Sequence, residues 1–193
     1  FKSLGEKEIH EDVASAYFEF YQRHGNLFPM AVREVSYRDR IVKAYPFHPL
    51  LIDLLRERWG TIEGFQRTRG VLRLLAQIVR DLHGKSSFPL IHPGDVDLSG
   101  EVRNMLLRVI DDRFESVISA DITDGSAHAA QVDGELGTEF KPLKIATQLA
   151  TTIFLASHHG ARTEEEEESV VGARRGIERN WLRVGVWHPN TED

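Results

Sequence analysis

The sequence contains no cysteine, which removes disulfides, thiolate metal sites and a cysteine nucleophile together. A chain of this kind suits a reducing compartment, and a cytoplasmic location is expected. Long apolar runs are missing as well. The longest, Ala146 to Ala156, is interrupted by Thr147, Gln148, Thr151 and Thr152, whereas a membrane-spanning helix needs roughly 20 apolar residues. No signal-peptide pattern opens the chain, so no membrane partner is expected. Basic residues are not in excess: 24 Lys and Arg stand against 30 Asp and Glu, a formal net charge of −6. That balance argues against a surface that coats nucleic acid throughout, while leaving room for a local basic patch.

Complete catalytic patterns are missing too. No serine lies in a GxSxG elbow and no HExxH pair is present. Gly84-Lys85-Ser86 superficially resembles a phosphate-binding loop, but a Walker A motif needs a glycine at position 79, and Val79 stands there. These residues follow a helical pattern, whereas a phosphate loop precedes its helix, so they are read as a helix end and turn. The nine histidines include no pair at the three-to-four spacing that places two metal ligands on one helical face. They are read as surface or loop residues, with His48 fixing a turn between Pro46 and Pro49. Asp111 and Asp112 are read as a solvated face.

What is present is a helical sequence of ordinary soluble composition, 41% hydrophobic and 28% charged over 193 residues. Val13, Ala16, Tyr17, Phe20 and Tyr21 recur at helical spacing, with Gly25 as a stop. Ser36 and Asp39 have the spacing of a capping box for a short helix to about Ala44. Pro49 suits the first position of the next helix, where its missing N–H costs nothing. Leu51, Leu54, Leu55 and Trp59 form that helix's buried stripe, with Asp53, Arg56 and Glu57 on the other side. A helix after Gly64 carries Val71, Leu72, Leu75, Ile78, Val79 and Leu82 as its core face and ends at Gly84. Ser99 caps a long helix buried through Val102, Met105, Leu106, Val109 and Ile110. Further helices are expected over residues 126–136 and 142–157. The glutamate run 164–168 is a solvated loop, and the tail is a short helix followed by a strand. The expected fold class is mainly α.

The helix after Gly64 opens on arginines. A helix N-terminus already carries partial positive charge from its unpaired N–H groups, so Arg67, Arg69 and Arg73 concentrate like charge there. An anion relieves such a cluster, phosphate above all. The alternative is a set of structural ion pairs with Glu57 or Glu63. Arg69 and Arg73 lie four residues apart and share a face. Near the C-terminus, Arg174, Arg175, Arg179 and Arg183 gather beside Trp181 and Trp187. That mixture suits nucleic-acid contact and equally suits a helix whose tryptophans enter the core.

The segments YPFHPLLIDLLRERWG, GFQRTRGVLRLLA and PLIHPGDVDL (residues 45–60, 64–76 and 89–98) resemble a family of prokaryotic predicted ATPases of the AAA+ class. That family is catalogued as a domain of unknown function and is often found near DNA methyltransferase genes. The resemblance implies a piece of a longer ATPase whose Walker segments lie upstream of Phe1. Residues 1–98 would form a helical lid-like subdomain, and residues 99–193 a second helical subdomain with a winged-helix-like C-terminus. It further implies ATP with Mg bound in the parent protein, and an upstream ATPase core as the principal partner. A DNA or DNA-modification partner, in DNA modification or phage defence, is implied too. Arg69 is the first candidate for a sensor arginine reading the nucleotide phosphate, with Arg67 and Arg73 as alternates. The competing expectation is a helical module docking protein or DNA, with structural arginines and no nucleotide contact.

Overall fold

The computed structural model describes residues 2–65, 67–84, 89–158 and 177–189, with side chains from residue 8 onward and without that of Arg67. Their regular structure is helical. The described residues hold no β-strand, only an isolated parallel bridge between Phe47 and Ile91. In order come α1 (Lys2–Arg23), a 3-10 turn (Met30–Arg33), α2 (Val35–Ala44) and α3 (Pro49–Asp53), which runs into a π-helical segment (Leu54–Trp59). Then follow α4 (Arg67–Leu82), α5 (Glu101–Leu107), α6 (Arg113–Ile118) with a second π segment (Ser119–Thr123), α7 (His128–Glu135), α8 (Ile145–Ser157) and α9 (Arg179–Val184). No helix among the described residues is long and apolar enough to cross a membrane. The expectation of a mainly helical chain holds.

Local chemistry explains most boundaries. Pro49 opens α3, and the His48 ring caps it by accepting a hydrogen bond from Leu50 N (3.2 Å). The extra residue of the first π segment is absorbed where Gly60 N donates to Leu55 O (2.8 Å), five residues back. The N-terminus of α8 is satisfied from another helix: Asp133 of α7 accepts from Ala146 N (2.7 Å), Thr147 N (3.0 Å) and the Thr147 hydroxyl (2.6 Å).

Several local expectations need correction. Ser36 does not cap α2. Glu34 occupies that position, and the Ser36 hydroxyl donates to the Glu34 carboxylate (3.2 Å). Ser99 turns back to Asp97 instead of capping α5, which begins after Gly100 and ends at Leu107. Asp53 is buried, where both oxygens accept from Arg40 (2.7 Å each). Beyond α9, residues 185–189 are turn and coil, not strand. The glutamate run 164–168 lies outside the described residues.

One hydrophobic cluster runs from Ala14 to Val184 and draws on most of the helices. Trp59, fully buried at the end of the first π segment, donates its indole N–H to Leu155 O of α8 (2.9 Å). The turn at Pro93–Asp95 is pressed between α8 and α9. Gly94 N donates to Gly185 O (3.0 Å), a methyl at Gly94 would meet Gln148 Cβ at 2.9 Å, and one at Gly185 would meet Thr152 Cγ2 at 2.6 Å. Only glycine permits that approach.

At the centre of the core sits a polar chain: several histidines lie in loops as expected, and His48 fixes the head of α3, but four of them are buried and not on the surface. His48, His92, His158 and His188 are buried. The His92 and His188 ring centroids lie 4.2 Å apart, and those of His92 and His48 4.4 Å. Hydrogen-bond partners dictate the tautomers. His92 Nδ1 faces the Val184 carbonyl (2.8 Å), which can only accept, so Nδ1 carries the proton. His92 Nε2 therefore accepts from the Tyr17 hydroxyl (3.0 Å), and the Tyr17 oxygen accepts from His188 Nδ1 (3.0 Å). His48 Nδ1 is occupied by Leu50 N–H, so its Nε2–H donates to the Tyr21 oxygen (3.0 Å). Asp95 accepts from His92 N (2.7 Å) and lies 3.4 Å from His188 Nε2.

Burial disfavours the charged form of His48 and His92. Desolvation, with added repulsion from His188 and Arg40, lowers the His48 pKa to about 3. Desolvation, His188 and His48 hold His92 well below its ordinary value, against the opposing effect of its bond to Val184. In the unfolded chain both histidines titrate near 6.5. Below that pH the unfolded state binds protons that the folded state refuses, so stability is complete above about pH 6.5 and is lost as the pH falls. Each histidine withdraws about 1.4 kcal/mol per pH unit. Urea denaturation at pH 7.5 and pH 5.0 should therefore show a drop of about 2 kcal/mol for each of His48 and His92. Equal urea midpoints at the two pH values would contradict the assignment of neutral rings.

Candidate functional site

The arginine-led helix α4 is half sunk in the core. Leu74, Leu75 and Ile78 are buried on the face turned to the first π segment and α5. Successive residues turn by 100°, so Arg69, Arg73 and Arg80 point away from that face, and Leu72, Ala76 and Val79 run in one line along its flank. All six are exposed. The expectation that Leu72 and Val79 belong to the core face is therefore wrong: they are 62% and 39% exposed. The sequence carries two apolar stripes on this helix, and only the one centred on Leu74 and Ile78 meets the rest of the protein.

The start of α4 is clamped. Gly64, at φ +90°, reverses the chain, and Phe65 is buried beside Trp59. Gly70 lies so close to Phe65 that an added methyl would run into the Phe65 carbonyl. That approach holds the first turn of α4, and with it Arg69, against the preceding loop. Beside it runs a groove of about 490 Å³ between α4 and α5, lined by Phe65, Arg73, Arg80, Met105, Arg108 and Glu101 among others.

Charge in this region is unevenly partnered. Arg108 lies 3.4 Å from Glu101, whose other oxygen accepts from Asn104 (3.1 Å). Arg69, Arg73 and Arg80 make no ion pair with a carboxylate among the described residues, and the expected alternative partner Glu57 lies 3.9 Å from Arg56. The side chain of Arg67, the remaining candidate, lies outside the described residues. Sequence reasoning missed Arg80 and Arg108. Arg80 was within reach, because it stands two turns after Arg73 on the same face; Arg108 comes from another helix and left no local signal.

The second arginine group is divided. Arg174 and Arg175 lie outside the described residues. Arg179 is exposed at the first position of α9. Arg183 faces inward to the loop after α1, donating to Leu27 O (3.0 Å) and to Asn180 Oδ1 (2.9 Å). Trp181 is buried against Tyr37, and Trp187 packs on Phe20 and Phe28. The tryptophans here serve the core. A larger cleft of about 890 Å³ lies between the 94–99 turn, α7 and the start of α8. Among its lining residues, Asp133 is engaged in capping α8 and Asp97 in holding Ser99. The described residues contain no group of three or more His, Asp or Glu arranged to hold a metal ion.

Residues 6–173 match the family model described as DUF499 second domain. The chain belongs to that family. The matched stretch contains all of α2 to α8, including the clamped start of α4, and ends before α9 and His188. No curated protein and no solved structure matches the chain. The core of this second domain nevertheless extends past the match, since Val184 and His188 bond to His92 and Tyr17 inside it.

The clamp at Gly70 is directly testable. Gly70→Ala should cost about 2–4 kcal/mol, as for other substitutions that force the backbone apart at a close contact. A chain of this size would then melt several degrees or more lower. A thermal melt of the variant at the wild-type temperature would show that the approach to Phe65 is not a constraint.

Proposed function

We propose that this DUF499 second domain is the helical lid-like part of an AAA+-type ATPase, and that Arg69 is its sensor arginine. Arg73 and Arg67 are the alternates. The observation that carries the reading is the placement of Arg69. It stands exposed in the first turn of a sixteen-residue helix, without a carboxylate partner among the described residues, on a backbone clamped at Gly70. A guanidinium held in that way keeps its donors free for phosphate oxygens, and the helix N-terminus adds positive potential at the same point. The resemblance of residues 45–60, 64–76 and 89–98 to predicted AAA+ ATPases supplies the nucleotide.

The residues of this chain fit one part of such a site. Arginines suit the terminal phosphate of ATP, while the loop that cradles the phosphates and the carboxylates that hold Mg belong, on this reading, to an upstream core. ATP with Mg provides the phosphoryl group to be cleaved. This chain contributes charge stabilisation and a lever: α4 packs on the first π segment and α5, so a pull on Arg69 is transmitted to the core of the domain. Contact with DNA or a DNA-modification protein in a defence setting would rest on surfaces such as Arg179, with Arg174 and Arg175.

The test is ATP hydrolysis by the full-length protein that carries this domain, comparing wild type with Arg69→Ala, Arg73→Ala and, as an exposed control, Arg56→Ala. Loss of turnover on the order of a hundredfold in Arg69→Ala, with nucleotide binding retained, is the expected result. Wild-type turnover in both Arg69→Ala and Arg73→Ala would remove the sensor role.

A further inference from the structure

The outer face of α4 has a pattern that phosphate sensing does not explain. Leu72, Ala76 and Val79 follow one another at spacings of four and three, which is the a/d rhythm of a helix that pairs with another helix. Counted that way, Leu72 and Val79 occupy d positions and Ala76 an a position. Arg73 and Arg80 both fall at e, along one edge of the seam, about 10 Å apart along the axis. The other edge, Leu75 and Leu82, is turned toward the protein's own core, where Leu75 is buried and Leu82 partly so. The seam is open: Leu72 is 62% exposed and Val79 39%. Both edge residues on α4 are positive and neither has a carboxylate partner among the described residues; Glu101 across the groove is engaged by Arg108 and Asn104.

We propose that this face docks an acidic amphipathic helix, one whose apolar stripe covers Leu72, Ala76 and Val79 and whose carboxylates, spaced about two turns apart, meet Arg73 and Arg80. Edge charges of this kind select partners by sign. The same rule excludes a second copy of this chain. An antiparallel pair of α4 helices centred on Ala76 would set Arg73 of each against Arg80 of the other. A parallel pair would need the edge that faces the core. Nucleic acid is a poorer fit, because a phosphate backbone gives Leu72 and Val79 nothing to bury against and the chain as a whole is negative. The docking face shares only Arg73, an alternate sensor, with the phosphate-sensing reading. It uses the second and fourth turns of α4, needs no nucleotide and survives if Arg69 has no catalytic effect.

The 193-residue chain can be tested directly, without ATP. The probe is a fluorescently labelled, stapled helix with leucines at a and d and glutamates along both edges, compared with the same helix carrying lysines at the edges. Binding is followed by anisotropy at low and high salt. The glutamate helix should bind about tenfold or more tightly than the lysine helix, with the preference shrinking as salt rises. The double variant Arg73→Glu, Arg80→Glu should invert the preference, and Leu72→Ser with Val79→Ser should weaken both peptides. All these substitutions are at exposed positions, so the fold can be checked by the unchanged far-UV spectrum. Equal binding of the two helices, or binding of neither, would overturn the proposal. So would self-association abolished by Arg73→Glu, Arg80→Glu, or a preference for a short oligonucleotide over the glutamate helix.

Discussion

The structure depends on one buried polar chain. Tyr17 of α1 donates to His92, His92 donates to Val184 O of α9, and His188 donates back to Tyr17. Tyr21, one turn further along α1, holds His48 at the head of α3. Three pieces of chain far apart in sequence are thereby fixed to a single helix. Hydrogen bonds of this kind add modest net stability when made, but each is costly to leave unmade in a dry interior. The chain therefore admits one arrangement of α1, the 46–50 turn, the 91–95 turn and the C-terminal segment. Leucine contacts alone would tolerate several.

From that anchor the rest follows by packing. With His48 placed, α3 and its π segment lie in the middle of the core, and Trp59 at their end reaches the Leu155 carbonyl of α8. Trp59 also packs against Phe65 in the loop that follows, and Gly70 lets the first turn of α4 meet the Phe65 backbone. The exposed face of α4 is thus carried on a support that begins at the histidines. Arg69 and the Leu72–Val79 seam need only be presented by this support; they contribute little to holding it.

Much of this was legible from residue patterns. The helical class, Pro49 at the head of α3, Gly84 after α4 and the apolar run of α8 all rest on local rules that tertiary context did not override. The arginine cluster was legible as a cluster. Its partners were not, because an ion pair between distant segments leaves no trace in spacing: Asp53, placed away from the buried stripe, meets Arg40, while Arg69 and Arg73 meet no carboxylate among the described residues. The burial of His48, His92 and His188 was not legible for a related reason. Their spacing excludes metal pairs on one helix face, yet spacing says nothing about rings stacked across segments that meet only in the folded state.

The sequence by itself determined that this protein is helical, without disulfides or a long apolar span, and that one of its helices opens on unusual positive charge. These follow from composition and from interactions within a few residues. Tertiary structure alone decided which of two apolar stripes on α4 is core and which is left open, because either could have been buried. It also decided that His48, His92 and His188 are interior, because their partners come from elements up to 171 residues away in sequence. Local chemistry sets the elements; long-range contact sets which of their faces remain available for function.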